Sequence, residues 1–239
     1  MKRKSALLAA VVGILALWQA APPVGAQAQQ APTIKIPEPG VPQIMTIEGL
    51  FVRASYNNEG YVILGYKTAN IAVGEEWMLL EIGTTVRDKT PNYTLKRDAI
   101  ALETPDGKKL PLPSVEEYRT ANLTALNNRA NVARDSINYF PPMATQACRI
   151  GFFSELSGPA LPWDEVELSN TRACLGRLYF KIPGGIKYGR HWLDVKFADS
   201  LVRVPFLIMT KEEEKVASKN YKDIRKQVQA AFAPPKKKK

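Results

Sequence analysis

Few side chains in this sequence could do chemistry. His191 is the only histidine, and Cys148 and Cys174 are the only cysteines among 239 residues. His191 falls in a predicted strand beside Trp192 and has no serine elbow or recognisably spaced cysteine, which favours a structural or surface histidine over a general base. The cysteine spacing matches no zinc pattern, and the sequence predicts neither a metal site nor a cofactor.

A short acidic run, Asp164 and Glu165 followed by Glu167, is the other chemical candidate. Paired carboxylates cleave glycosides and converging carboxylates bind calcium, but the first needs a defined separation and the second several oxygens around one point. Adjacent acids in a loop are usually solvated instead. We therefore predict no catalytic residue, and an exported hydrolase with an acidic or His-containing site is the alternative.

The first residues predict export. Lys2, Arg3 and Lys4 precede an apolar stretch that ends at Pro22, and Ala26-Gln27-Ala28 has the small-x-small pattern of a cleavage site. We interpret residues 1–28 as a signal peptide and the proline-rich residues 29–43 as a linker. The alternative is an uncleaved anchor, for which about 17 apolar residues is short. The mature protein is expected in the periplasm or the medium.

The two cysteines are predicted to pair. Thiols oxidise outside the cytoplasm, so a lone pair in an exported protein is most simply a disulfide. Closing the loop of 27 residues from Cys148 to Cys174 would contribute about 3.5 kcal/mol to stability. Two free or metal-binding thiols are the alternative. A disulfide would exclude a cysteine nucleophile.

The positive charge is concentrated at the two ends. The net charge is +10, and removing the three charges of residues 2–4 and the four of Lys236 to Lys239 leaves +3 for the rest. A nucleic-acid surface needs basic residues clustered on the fold, so we expect no nucleic-acid partner. The lysine tail, residues 234–239, would give at most weak contact with an anionic membrane surface, about 4 kcal/mol.

Short β-rich runs separated by turn residues dominate residues 44–209. Asp106-Gly107 is the strongest hairpin signal, and Asn57 to Gly60 forms a second turn. The predicted strands are 50–56, 61–68, 78–86, 99–103, 108–112, 148–156, 175–182, 191–197 and 201–209. Such a pattern predicts a mainly β, two-sheet sandwich.

Helical periodicity interrupts this pattern once and then closes the chain. Ser114 with Glu117 forms a capping box, and apolar residues at helical spacing predict a helical insert over 114–138. Asn122, Asn127, Asn128 and Asn131 lower its helix propensity, which predicts a helix, intact or broken, laid across the sheet edge rather than a core element. Thr210 with Glu213 starts a C-terminal helix, residues 210–233, whose narrow apolar stripe leans on the sandwich or docks on another chain.

One resemblance can be read from the order of these segments. It consists of Gly-Glu-Glu-Trp leading into a long strand (74–86), an Asp-Gly hairpin (99–112), and Gly-x-Leu-Tyr-Phe-x-Ile-Pro (176–183) before Val204-Pro205-Phe206. In these features the chain resembles the immunoglobulin-like domains of unknown function in exported bacterial proteins. The resemblance implies an immunoglobulin-like sandwich and a role in binding or envelope assembly. It supplies no catalytic residue.

Aromatic residues near predicted turns are the candidate binding residues. Trp163, beside Asp164 and Glu165, lies in the segment 154–173 that the predicted disulfide encloses, and Tyr139 and Phe140 precede a proline pair. Large rings in tethered loops serve recognition or fold back onto the core. We predict an exported non-catalytic binding or envelope-accessory module whose partner is an envelope protein or a cell-surface component. The sequence does not indicate an oligomeric state.

Overall fold

The computed structural model describes residues 43–153 and 161–231. The chain is mainly β, with twelve strands in three sheets and four helices in these ranges. The strands are β1 (Ile44–Gly49), β2 (Val52–Tyr56), β3 (Gly60–Gly65), β4 (Trp77–Val86), β5 (Tyr93–Lys96), β6 (Ile100–Glu103), β7 (Lys109–Pro111), β8 (Gln146–Ile150), β9 (Glu165–Leu168), β10 (Arg172–Lys181), β11 (Gly189–Lys196) and β12 (Leu201–Ile208). The helices are α1 (Lys67–Ile71), α2 (Val115–Thr120), α3 (Thr124–Val132) and α4 (Lys211–Ala231).

The larger sheet has six strands in the order β1-β2-β3-β4-β10-β8. Its strands pair antiparallel except β8, which runs parallel to β10. The predicted hairpin of β2 and β3 is confirmed, and the Asn57 side chain closes its turn by accepting hydrogen bonds from the Glu59 and Gly60 amides, both at 2.9 Å. The long strand β4 is central and almost wholly buried, as its two-sided apolar pattern predicts.

The second sheet has four strands in the order β12-β11-β6-β7. β6 and β7 form the predicted hairpin around Asp106 and Gly107, and Gly107 has a φ of 79°, which favours glycine. Apolar side chains of both sheets share one core, with Leu80 and Ile82 from β4 and Leu193 and Val195 from β11. Strands β5 and β9 form a separate two-stranded sheet.

The helical insert covers the other face of the six-stranded sheet. Its capping box is present, with the Ser114 Oγ accepting from the Glu117 amide at 3.1 Å. The prediction of a helical insert over 114–138 was wrong in its extent: the segment forms two short helices, α2 and α3, and residues 133–138 are not helical. This later part packs Ile137 and Phe140 against apolar residues of the sheet, so the insert is part of the core rather than an addition at its edge.

Helix α4 begins at the predicted cap. The Thr210 amide donates to the Glu213 carboxylate at 2.8 Å, and the Glu213 amide donates to the Thr210 hydroxyl at 3.2 Å. The face that touches the body includes Tyr221, whose hydroxyl donates to the Glu48 carbonyl at 3.0 Å. Val216 and Ile224 of the predicted stripe are each 60% exposed, so these two residues do not lean on the sheets.

Several predictions concern residues outside the described ranges. These are the signal peptide (1–28), the linker apart from Gln43, the end of the C-terminal helix and the lysine tail (232–239), and residues 154–160 of the loop before Trp163. Among the helices in the described ranges, none has the length and apolar character needed to cross a membrane.

The predicted disulfide is confirmed between Cys148 of β8 and Cys174 of β10, with their Cα atoms 4.1 Å apart. The two cysteines are directly opposite each other in the parallel pair. The bond therefore ties the edge strand β8 to the central part of the sheet.

Replacing both Cys148 and Cys174 by alanine should lower the free energy of unfolding by about 3.5 kcal/mol, because the unfolded chain regains the entropy of an open loop. Urea denaturation of the oxidised protein and of the double variant measures the difference. Reduction of the unaltered protein should give the same loss, and reductant should have no effect on the double variant. Equal midpoints for the oxidised and reduced protein would contradict the prediction.

Candidate binding cleft

A cleft lies between helix α3 and the face of the six-stranded sheet that the insert covers. Its volume is about 700 Å³. The side chains that line it are mostly amides, charged groups and hydroxyls, with a few apolar groups between them. The lining residues are Glu81, Thr124, Asn127, Asn128, Asn131, Arg134, Ile137, Cys148, Arg149, Ile150, Phe153, Leu175, Gly176, Arg177 and Tyr179.

Strands β4 and β10 supply the floor of the cleft. Glu81 is paired directly with Arg177 across the antiparallel ladder, and Leu175 and Tyr179 stand two residues to either side of Arg177. Side chains alternate between the faces of a strand, so all four belong to the cleft face. Their neighbours Leu80, Ile82 and Leu178 belong to the shared core. The alternation makes the same two strands apolar on one face and polar on the other.

Helix α3 supplies the opposite wall and is fixed to the floor by side-chain hydrogen bonds. The Tyr179 hydroxyl donates to the Asn127 Oδ1 at 2.6 Å, and an Arg177 amino group donates to the Asn131 Oδ1 at 2.8 Å. Arg129 forms an ion pair with Glu75 at 2.7 Å. The apolar side of α3, Leu126 and Ala130, is buried in the core. Asn127 and Asn131 therefore project between helix and sheet with their positions already set.

Glu81 is the buried charge of the cleft. It is 6% exposed, and its carboxylate lies 3.5 Å from the Arg134 Nε. Loss of hydration raises its pKa above the ordinary value of 4.5, and the positive charges of Arg134 and Arg177 oppose that rise without cancelling it. Glu81 thus holds a proton more readily than a solvated glutamate does.

A second carboxylate, Asp135, lies next to this group in the segment that follows α3. Burial also raises the pKa of Asp135, and the positive charge of Lys67 lowers it by a smaller amount. The hydrogen bond from the Asp135 backbone lowers the pKa of Glu81, and the negative charge of the Asp135 side chain raises it by a smaller amount. The Asp135 Oδ2 is buried and has no hydrogen-bond partner within the described residues. Two carboxylates with raised pKa values therefore lie near one end of the cleft.

Trp163, Asp164 and Glu165 lie away from this cleft lining. Trp163 is 52% exposed, and its ring lies over Gly151, where an added Cβ would be 3.1 Å from the Trp163 Cε3. Its amide donates to the Gly151 carbonyl at 2.7 Å. The Asp164 carbonyl accepts from the Arg97 amide at 3.1 Å. The interpretation of the acids as a loop cluster was wrong for Glu165 and Glu167, which both lie in strand β9 and pair with Lys96 and Thr94 of β5.

Tyr139 and Phe140 lie on the sheet rather than beside Trp163. The Tyr139 carbonyl accepts a hydrogen bond from the Tyr61 hydroxyl at 3.0 Å. The Phe140 ring packs over Gly83, where an added Cβ would be 2.9 Å from the Phe140 Cζ. Phe140 is therefore a packing residue, and its ring fits against the strand because Gly83 has no side chain. Among the described contacts, none joins this pair to Trp163.

His191 is buried inside the four-stranded sheet. Its Nδ1 lies 3.1 Å from the Gly189 carbonyl oxygen, and its ring stacks on Phe206 with centroids 5.3 Å apart. Loss of hydration lowers its pKa, so the neutral ring is favoured. His191 does not line the cleft. The interpretation of His191 as a structural residue fits this burial.

Helix propensity does not identify the cleft residues of α3, because it registers asparagine only as a poor helix former. A usable signal was present. Asn127, Asn128 and Asn131 at helical spacing, with Arg134 three residues later, form a polar face next to the apolar face of Leu126 and Ala130. A helix that packs on a sheet and carries amides beside its apolar stripe places those amides at the rim of the contact.

Comparison of the chain with protein-family models, with curated proteins and with solved structures found no match. Within the described ranges, no three or more His, Cys, Asp or Glu side chains are grouped so that they could hold a metal ion.

Replacing Glu81 by glutamine should flatten part of the pH dependence of stability. Because the pKa of Glu81 is raised by folding, its protonation stabilises the folded state below the ordinary pKa of 4.5, and this contribution is lost as the pH rises through the folded-state pKa. The unaltered protein should therefore lose stability relative to Glu81→Gln between these two pKa values. Urea denaturation at a series of pH values from about 4 to 8 measures this.

Glu212→Gln on α4, where Glu212 is exposed, is the matched control for removing one carboxylate. If the stabilities of Glu81→Gln and of the unaltered protein run parallel over the whole pH range, Glu81 is not desolvated as described.

Proposed function

We propose that this protein is an exported, immunoglobulin-like, non-catalytic binding module that acts in the periplasm or outside the cell and binds a cell-surface component in the cleft. The observation that carries the proposal is a cleft of about 700 Å³ in which helix and sheet side chains hold each other in position. Small-molecule sites generally measure about 300–1,000 Å³. A wall of amides and arginines on a rigid sheet is suited to a polar ligand.

Fixed side chains favour binding because they lower its entropic cost. Asn127 and Asn131 are each tied to the floor by one hydrogen bond. The Asn127 Nδ2 also donates to the Leu123 carbonyl at 3.0 Å, which leaves it one donor hydrogen for a ligand, and Asn131 keeps its side-chain NH₂ group. A site whose side chains are ordered before binding loses less conformational freedom when the ligand arrives.

Export and the immunoglobulin-like assignment rest on separate supports. The disulfide fits an oxidising compartment, and the apolar pattern of residues 1–28 is that of a signal peptide. The two sheets share a core, and strands distant in sequence, such as β4 and β10, lie side by side as they do in Greek-key folds. Both features are compatible with an immunoglobulin-like sandwich. The parallel strand β8 and the helical insert would be additions to that plan.

Blocking the cleft should remove binding to the cell surface. Asn128 is exposed on α3 and lines the cleft, so Asn128→Trp would fill the cleft without disturbing the core. Retention of the tagged, disulfide-intact protein on isolated envelope fractions should fall about tenfold, as expected for the loss of about 1.4 kcal/mol. Retention is measured by sedimentation of the fractions at several protein concentrations.

Val132→Trp is the matched control. Val132 lies one turn further along α3, is 90% exposed and is not part of the cleft lining, so this variant should be retained like the unaltered protein. Undiminished retention of Asn128→Trp would contradict the proposal. If Trp163→Ala abolished retention instead, the binding surface would be the half-exposed ring at Trp163, in line with the prediction from sequence.

A second function is favoured by one observation, the two carboxylates with raised pKa values. Glu81 and Asp135 are desolvated beside the cleft, as the acid of a hydrolase must be. An exported hydrolase would release product from a bound substrate, and Glu81→Gln would abolish release while preserving binding. Binding without turnover would exclude this function.

A further inference from the structure

The charge of the cleft is positive. Among the described residues, its lining carries three arginines, Arg134, Arg149 and Arg177, and one carboxylate, Glu81, which gives a net charge of +2. The chain between its two basic ends carries +3 in all, cleft included, so the lining accounts for +2 of this +3. Asp135, beside the lining, offsets one of these charges at one end of the cleft. The arginines therefore leave the cleft positive, and an anionic ligand would be attracted to it.

Arg177 is placed to donate to such a ligand. It stands on the cleft floor between Leu175 and Tyr179, and Asn131 accepts one of its hydrogen bonds at 2.8 Å. A guanidinium has five N–H donors in one plane, so donors remain for a carboxylate, whose two oxygens match that plane. The bond to Asn131 fixes the plane before a ligand binds.

The amides of α3 favour hydroxyl groups as the rest of the ligand. A hydroxyl both donates and accepts, and an asparagine amide does the same, so Asn127, Asn128 and Asn131 can pair with a row of hydroxyls. Ile137 and Leu175 provide small apolar areas between these amides. Alternating polar and apolar surface fits a sugar, whose ring has C–H faces and hydroxyl edges.

A peptide is the competing ligand. Extended peptides are usually aligned by the unpaired backbone of an edge strand. Strand β8 is the edge of this sheet and contributes Cys148, Arg149 and Ile150 to the lining. At the centre of the floor Glu81 and Leu175 are paired on both sides, so a ligand there is recognised by side chains. The amides of α3 face that part of the cleft, which favours the sugar, and a peptide probe tests the alternative.

From these contacts we infer that the cleft binds a short sugar chain that carries a carboxylate, with Arg177 and Arg134 on the carboxylate and the α3 asparagines on the hydroxyls. This inference rests on the proposed binding function and names its ligand class. The carboxylate can belong to a uronic acid or to an ether-linked acid on an amino sugar, and the chemistry recognised is the same.

Isothermal titration of the full, disulfide-intact chain tests the inference with two acidic probes. These are trigalacturonate and a disaccharide of N-acetylglucosamine and N-acetylmuramic acid. At least one should bind, and its affinity should fall as salt is raised, since ion pairing is screened. The methyl ester of the acid that binds has the same ring and hydroxyls without the charge, and should bind about tenfold more weakly.

The variants separate charge recognition from hydroxyl recognition. Arg177→Gln should weaken binding of the acid about tenfold and leave binding of its ester nearly unchanged. Asn128→Ala should weaken the acid and the ester alike. Arg172→Gln is the matched control, because Arg172 lies on the same strand, pairs with Glu167 at 2.9 Å and does not line the cleft. It should bind both probes like the unaltered protein.

The inference is overturned if neither acidic sugar binds, if the ester binds as tightly as the acid, or if citrate or triglutamate binds more tightly than both sugars. Its failure is distinguishable from failure of the proposed function. If no sugar binds and Asn128→Trp still loses envelope retention, the cleft binds another class of ligand. If no sugar binds and Asn128→Trp is retained, both are wrong.

Discussion

The antiparallel pairing of β4 with β10 is the interaction on which both the core and the cleft depend. Its register sets Glu81 opposite Arg177 on one face and buries Leu80, Ile82 and Leu178 on the other. Since side chains alternate, a slip of one residue would send the charged pair into the core and the apolar residues into the cleft. The free energy of the buried core therefore fixes the geometry of the polar site.

The insert touches the sheet at one end and leaves the cleft open at the other, because the side chains of the sheet beneath it differ in size. Ile137 and Phe140 approach the sheet closely where Gly65 and Gly83 have no side chains, and an added Cβ at either position would lie 2.9 Å from them. Further along the sheet, Arg177 and Tyr179 hold α3 away from the strands through hydrogen bonds with α3 asparagines. Small residues give a tight contact, and large polar residues leave the space that forms the cleft.

Local signals predicted much of the fold. Turn residues such as Asp106-Gly107 predicted the hairpins, and capping boxes predicted the starts of α2 and α4. The cysteine pair predicted the disulfide. Strand β9 was not predicted, and neither was the parallel pairing of β8, whose strand was predicted over 148–156, because these pairings are set by residues distant in the sequence. The cleft was missed for the same reason. Judged by propensity alone, an asparagine only weakens a helix. Its role in the cleft depends on which side chains it faces in the folded chain.

The presence of Glu81 and its arginines in the cleft is difficult to explain by a contribution to the stability of the fold. Burial raises the pKa of Glu81 even beside Arg134 and Arg177, which means that loss of hydration outweighs the attraction of both arginines. Apolar residues of similar size would often be as stable at such a position. Arg134 and Arg177 are nevertheless close to the carboxylate while remaining at the cleft surface. A bound anion would share these arginines with Glu81. Arginines that stay at an open surface beside a desolvated carboxylate are more useful to a binding site than to a structural ion pair.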